Sequence, residues 1–348
     1  MRQFSPGLGI AFRAAACALG AASLLVALGC HGPAAASNER GVILLRYAPG
    51  SESTEQREQG FLDTMKKDFP TIPLISTNQY AGATAEDALQ KSQDLLQRFG
   101  TRADAIFAVN ESAASGLMTA LDQAGLLGKL TFIGFDPNPR MVTALKANKM
   151  QGIVLQDPVM MGYLAVKTIV AHLEGQAVEK RIGTGENLAT PENAGDEKIA
   201  KLLSPEQFSG SDPHPGNAKY TIAIIPKGTT HEFWKSVHAG AARAANELGN
   251  VALYWKGPLN ENDRDGQIDV VQDFVTKKVS GICLAPLDSQ ALVASVKEAK
   301  QQGIPTVIFD SGLNDPDAYV SYVATDNYHG GVLAAQRLGE LYQAGAKK

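Results

Sequence analysis

The chain has 348 residues, 44% of them hydrophobic and 20% charged, with a formal net charge of −4 at pH 7. That composition belongs to a soluble globular protein with room for two domains of ordinary size, and it excludes a disordered or fibrous chain. The charge is mild and no basic stripe is present to track phosphates, so nucleic acid is not an expected partner.

The first forty residues stand apart. Arg2 and Arg13 precede an apolar run, "AAACALGAASLLVALG" (14–29), too short for a comfortable membrane span and right for the apolar region of a signal peptide. Two endings compete. "VALGC" sets Gly29 before Cys30 and is similar to a bacterial lipobox, although Ala27 stands where Leu is usual; "GPAAAS" (32–37) offers a cleavage site near Ala36. Residues 1–30 are read as the leader, with Cys30 the favoured lipidation site, and 31–40 as a tether. Either ending implies export to the periplasm or cell envelope. Only Cys283 remains in the mature body, in "GICLAP", where it reads as a small buried hydrophobe.

Strand and helix patterns then alternate. "VILLRY" (42–47) reads as a strand and Thr54 to Lys67 as a helix; strands "TIPLIS" (71–76) and "DAIFAV" (104–109) flank a helix at 85–99. Strands at 130–135 and 152–156 precede a helix from Met160 to Leu173. Residues 204–218, "SPEQFSGSDPHPGNA", lose every apolar period and read as a flexible linker. A second set follows: "YTIAII", helix 232–247, "VALYW", helix 265–276, "SGICLAP", helix 289–301, "IPTVIFD" and helix 330–345. Short β-rich runs joined by helical periods predict an α/β protein of two doubly wound parallel-sheet lobes, with a cleft where the carboxyl ends of the strands face each other.

Several stretches point to one family. "PKGTTHEFWKSVHAGA", "LAPLDSQALVASVKEAKQQGIPTVIFDSGL" and "VATDNYHGG" resemble the first half of a ribose-type periplasmic binding protein of the ABC-transport class. "LLRYAPGSESTEQREQGF", "DAIFAVNESAASGLMTAL", "FIGFDPNP" and "GIVLQDP" resemble its second half. The order is reversed relative to the family, which implies a circular permutation in which 204–218 joins the former termini. The resemblance implies crossings between lobes near Asn327, near Gln156 and at 183–187. It places 41–156 plus 328–348 in one lobe and 157–183 plus 219–326 in the other, joined by a hinge. It also implies the partners: a monosaccharide or polyol, and an ABC permease or a membrane sensor. A monomer is expected, with a domain-swapped dimer as the structural alternative. No cofactor or metal is expected, and no catalysis.

A sugar site needs carboxylates and amides around the ring's edge and aromatic faces against its C–H groups. By resemblance, His231 falls where the ribose binder has a contacting Asn, Phe233 and Trp234 fall on its stacking aromatics, and Asp310 matches a sugar-binding Asp. The pair of adjacent aromatics also argues for a cleft, because both cannot easily face one core. Asn110, Asp136 and Gln156 each close an apolar strand and should converge on the opposite rim. Asn110 could otherwise cap a helix from Glu111, and Asp136 could merely precede the Pro137 turn. Lys227 is a possible donor in the first loop of its lobe, or a solvated lysine. Two departures put ribose itself in doubt: Ser311 and Glu55 stand where the ribose binder has Arg. Glu55 enters the candidate set at that position, while Arg57 reads as a structural ion-pair partner. Alanine at Trp234 or Asp310 is expected to abolish most binding and leave the fold intact.

"HEFWK" (231–235) lacks the second His of a zinc motif, and "ENDRDG" (261–266) lacks the closing Glu of a calcium loop, since position twelve is Gln272. A regulator of the lactose-repressor type, which shares the fold, would need a DNA-binding motif where the export leader stands. An engineered permutant serving as a sensor scaffold is a further alternative.

Overall fold

A computed structural model describes residues 39–346; the leader and Cys30 lie outside the described residues. The chain runs β1 (Gly41–Arg46), α1 (Glu52–Asp68), β2 (Leu74–Tyr80), α2 (Ala85–Phe99), β3 (Ala103–Ala108), α3 (Glu111–Gln123), β4 (Thr131–Phe135), α4 (Pro139–Lys146) and β5 (Gly152–Gln156). Next come α5 (Pro158–Leu173), the short strands β6 (Arg181–Gly183) and β7 (Glu186–Ala189), and α6 (Glu197–Leu203). After the 204–218 stretch the pattern resumes with β8 (Tyr220–Ile225), α7 (Glu232–Leu248), β9 (Val251–Trp255), α8 (Arg264–Thr276), β10 (Gly281–Leu284), α9 (Val293–Gln301), β11 (Thr306–Phe309), β12 (Ser321–Ala324) and α10 (Asn327–Ala346).

These strands make two six-stranded sheets, ordered β2-β1-β3-β4-β5-β7 and β6-β12-β11-β10-β8-β9. Within each, the five consecutive strands take the doubly wound order 2-1-3-4-5, and only β7 runs antiparallel, against β5. Burial on both faces explains the unbroken apolar runs. In β1, Ile43 and Leu45 join the core under α2 and α3, while Val42 and Leu44 join the core under α1 and α10.

The chain passes between sheets after β5, between β6 and β7, through 204–218 and after β12. Two of these passages lead into helices: α5 packs on α7, and α10 on α1. Both pairs approach closely enough to require glycine. A Cβ on Gly240 would sit 1.8 Å from the Val159 carbonyl oxygen, and one on Gly331 would sit 2.0 Å from that of Arg57. Backbone contact of this kind fixes each crossover helix on its new lobe.

Two expectations shift. The second strand lies at Leu74–Tyr80 rather than 71–76, because β2 is a mostly polar, half-exposed edge strand that carries no apolar run, and Pro73 falls before it rather than within it. Residues 204–218 form no helix or strand, but they are pinned rather than coiled freely. Asp212 accepts from His238 Nε2 at 2.6 Å and from the Trp255 amide at 3.1 Å. The His238 ring stacks between Phe208 and Trp255, with centroids at 3.7 and 4.2 Å, and the Leu253 amide donates to Pro213.

Candidate functional site

The carboxyl ends of both sheets open onto one buried cavity, which encloses about 330 Å³ with its mouth included. The first lobe lines it with Tyr47, Ser51, Ser53, Thr54, Arg57, Asn110, Glu111, Asp136 and Gln156; the second with Lys227, His231, Phe233, Trp234, Glu261 and Asp310. Eight of the nine candidates named from sequence therefore meet in one place. The exception is Glu55. It sits on the solvent face of α1, exposed, and accepts from the Gly50 amide at 2.9 Å; helical phase turns Thr54 and Arg57 inward instead.

Asp136 and Asp310 follow the fourth strand of each lobe, β4 and β11, and both adopt left-handed backbone conformations with φ of 60° and 61°. Asp tolerates this region better than most residues, though at some cost, and a strand-end turn places each carboxylate at the cavity. Asp136 is held by Gln156, whose Nε2 reaches both its oxygens at 3.0 and 3.2 Å, with Arg57 at 3.7 Å. Arg57 is itself fixed by Asn327 (2.8 Å), the Val109 carbonyl (3.0 Å) and the Phe135 ring beneath it. It is thus the structural ion-pair partner expected, and it also lines the cavity.

Lys227 donates to Ser51 and Ser53 Oγ at 3.2 and 3.1 Å and pairs with Asp310 at 2.9 Å. Its ammonium is buried and engaged, so it ties α1 of one lobe to β11 of the other. Asp310 Oδ2 faces that ammonium in the ion pair and has no further partner in the protein. Gln156 Oε1 is buried and unpartnered.

Glu261 is the hub that sequence reasoning missed. It accepts from Trp234 Nε1 (2.7 Å), from His231 Nδ1 (2.8 Å) and, across the cleft, from Tyr47 OH (2.7 Å). Burial opposes its charge, but His231, Lys227 and the Tyr47 hydroxyl outweigh that and hold its pKa at about 2. Burial likewise opposes the imidazolium of His231, yet Glu261, with Glu111 and Asp136 beyond, lifts that pKa to about 9. Glu111, the first residue of α3, is also new to the site. Its oxygens accept from the Glu232 and Phe233 amides at the start of α7, at 3.4 and 3.2 Å, so one carboxylate of the first lobe caps a helix of the second. Burial raises Glu111 to about 7 and Asp136 to about 6, against the pull of His231 on the first and Arg57 on the second.

The aromatics differ from expectation in one respect. Phe233 and Trp234 do share a core: both belong to the apolar cluster under α5 and α7, touching edge to face at 4.8 Å. Both nevertheless line the cavity. Trp234 is 2% exposed, so an alanine there would leave a large void costing about 3–5 kcal/mol, and the fold would not be spared. Asn110 also plays two parts, capping α3 by accepting from the Ala113 amide at 3.2 Å while lining the cavity. Ser311, the departure from Arg, accepts from the Ser53 amide at 2.9 Å and so joins the two lobes.

Comparison with known proteins follows the same lines. The chain is 30% identical over 120 residues to a D-apiose import binding protein of Actinobacillus succinogenes, covering 34% of this chain and 38% of that protein. It is 29% identical over 150 residues to a ribose import binding protein of Escherichia coli, covering 43% and 49%. The chain thus spans half or less of the length of these curated relatives. Its fold is that of an ABC transporter solute binding protein from Clostridium phytofermentas with bound L-rhamnose, at TM-score 0.57 and 12% identity, covering 88% of this chain and 82% of that one. A family described as the periplasmic binding protein domain matches residues 19–177 and 222–347, and with the two lobes and shared cavity in place, the chain belongs to that family.

Proposed function

We propose that this chain is an exported solute-binding protein that closes on a small sugar or polyol between its lobes and hands it to an ABC permease. The observation that carries the reading is a buried acceptor in each lobe with bonding capacity left, on residues that both line the cavity: Gln156 Oε1 has no hydrogen-bond partner, and Asp310 Oδ2 has none beyond its ion pair with Lys227. A buried acceptor such as Gln156 Oε1 is costly unless a donor reaches it. A polyol brings several hydroxyl donors at once, and Phe233 and Trp234 give its C–H groups apolar neighbours. The names of the curated relatives support the same ligand class and a role in binding rather than catalysis. The reading places the protein in the periplasm, or on the cell envelope if Cys30 carries lipid.

Thermal unfolding with D-ribose, D-apiose, L-rhamnose, D-arabinose and a set of hexitols tests it. A ligand at about a hundred times its dissociation constant adds roughly 2.7 kcal/mol to the folded state, a readily visible shift. If no sugar or polyol moves a cooperative transition, the ligand class is wrong.

We also infer a circularly permuted segment order. The order of the family-like motifs supports it, as does the stretch 204–218, which runs from α6 of the first lobe to β8 of the second. A rejoined chain, 219–348 followed directly by 41–203, should fold cooperatively and keep the ligand affinity. Failure to fold would argue against permutation.

A further inference from the structure

A second cavity adjoins the first, and Asp136 and Phe233 line both. It encloses about 840 Å³ with its mouth and is walled largely by Pro137, Val142, Pro158, Leu203 and Pro205. One wall exists only because of the strap: Leu203 is seated in the core of the first lobe and Phe208 on that of the second, so residues 203–207 pass from one to the other beside the cavity.

The two cavities differ in chemistry. In the first, a buried acceptor, Gln156 Oε1, lacks a partner. In the second, seven of the thirteen lining residues are apolar; Asn138 accepts from the Met141 amide at 3.0 Å, Gln207 donates to Glu232, Glu232 holds Lys235 at 2.8 Å, and Lys146 and Ser204 are exposed to solvent. A hydroxyl entering there would give up water for little return, whereas an apolar group gains by leaving water.

We propose that the second cavity is a subsite for an apolar substituent on the ligand held in the first, so that the protein prefers an alkyl or aryl glycoside to the bare sugar. This rests on the sugar reading of the first cavity. The shared wall of Asp136 and Phe233 is what assigns the occupant: a group attached to a ring in the first cavity would reach the second by displacing only these two side chains. Each methylene buried there should tighten binding about fourfold.

Titration calorimetry on the purified protein would compare D-ribose, L-rhamnose and D-galactose with the methyl, butyl and phenyl glycosides of each, in both anomers. A butyl or phenyl glycoside binding at least tenfold tighter than its parent sugar is the expected result. Val142→Phe, and separately Ser204→Phe at an exposed strap position, should erase that gain and leave the parent sugar's affinity unchanged. The inference is overturned if a parent sugar binds and none of its glycosides binds tighter, or if the gain survives both substitutions. Should neither sugars nor glycosides bind, the sugar reading fails and this inference fails with it.

Discussion

Asp136 and Asp310 are counterparts across the cleft. Each follows the fourth strand of its lobe, and each donates its amide to the fifth: Asp136 to the Val154 carbonyl at 2.9 Å, Asp310 to that of Val323 at 3.0 Å. Each has the same left-handed backbone and faces one buried cation, Arg57 or Lys227. The two lobes therefore present the same device twice, with the carboxylates converging on one cavity.

Asp310→Asn tests that device without changing shape or the tolerated backbone conformation. It removes a charged acceptor, and a hydrogen bond to such a group is worth about 1.5–3 kcal/mol. Sugar affinity should fall about ten- to a hundredfold in calorimetry. Asp310→Ala is the poorer probe, because it also empties the space the side chain fills and gives up the left-handed backbone that Asn tolerates. Affinity unchanged in the Asn variant would remove Asp310 from the ligand's contacts.

Glu111 makes stability depend on pH. Its folded pKa, about 7, lies above the ordinary 4.5 because of burial. An acid with a raised pKa binds its proton more tightly when folded, so its contribution is full below pH 4.5 and is lost as pH rises through about 7. Asp136 acts in the same direction up to about 6, and His231, raised to about 9, loses its contribution between 6.5 and 9. Glu261 works the other way, losing its contribution as pH falls from 4.5 toward 2. Urea unfolding of the wild type and Glu111→Gln at pH 5, 6, 7 and 8 isolates the first effect. The stability difference between the two should change in favour of Gln as pH rises from 5 to 7. A constant difference would show that Glu111 titrates as it does in the unfolded chain.

Close helix packing gives a prediction in which two effects compete. Gly240→Ala gains about 1 kcal/mol of helix propensity in the middle of α7. Against that, its Cβ would meet the Val159 carbonyl oxygen at 1.8 Å, a backbone atom that cannot swing aside. Overpacking of this severity costs about 1–3 kcal/mol or more, and here it separates two helices. The clash should win, with a net loss of stability on chemical denaturation. A stabilised variant would mean that α5 and α7 shift apart freely.

Much of this was legible in the sequence, and the reasons for the rest are physical. The long apolar strands announced both sheets because burial on two faces demands unbroken runs. β6 and β7 were not, since strands of three and four residues such as "RIG" and "ENLA" carry no periodicity. Asn110, Asp136, Gln156 and Asp310 were found because each is a polar residue ending an apolar strand. Glu261 offered no such signal: it lies in a charged loop between β9 and α8 and becomes a hub only when Tyr47, Trp234 and His231 fold around it. Glu111 was hidden similarly, because at the sequence level it is an ordinary first-turn acid of a helix. The linker's composition described a flexible coil, and its tertiary partners, among them His238, Trp255 and Leu253, pin it.

That pinning leads to the last prediction. Phe208 and Trp255 sandwich the His238 ring, and Asp212 holds the same ring through Nε2. His238 bonding and the Trp255 amide bring the Asp212 pKa below its ordinary value, although burial works against them. Asp212→Ala with Phe208→Ala removes both anchors while leaving the sugar cavity's lining intact. The strap should then be cut by a broad protease at residues 204–216 at least tenfold faster than in the wild type, since cleavage follows the population of the open form. The anchors lie outside either sheet, so the main unfolding transition should fall by only about 1–3 kcal/mol. If cleavage stays slow, contacts other than this sandwich hold the strap. If instead the whole protein unfolds, the strap is an integral part of the second lobe, and the rejoined chain lacking it should fail to fold as well.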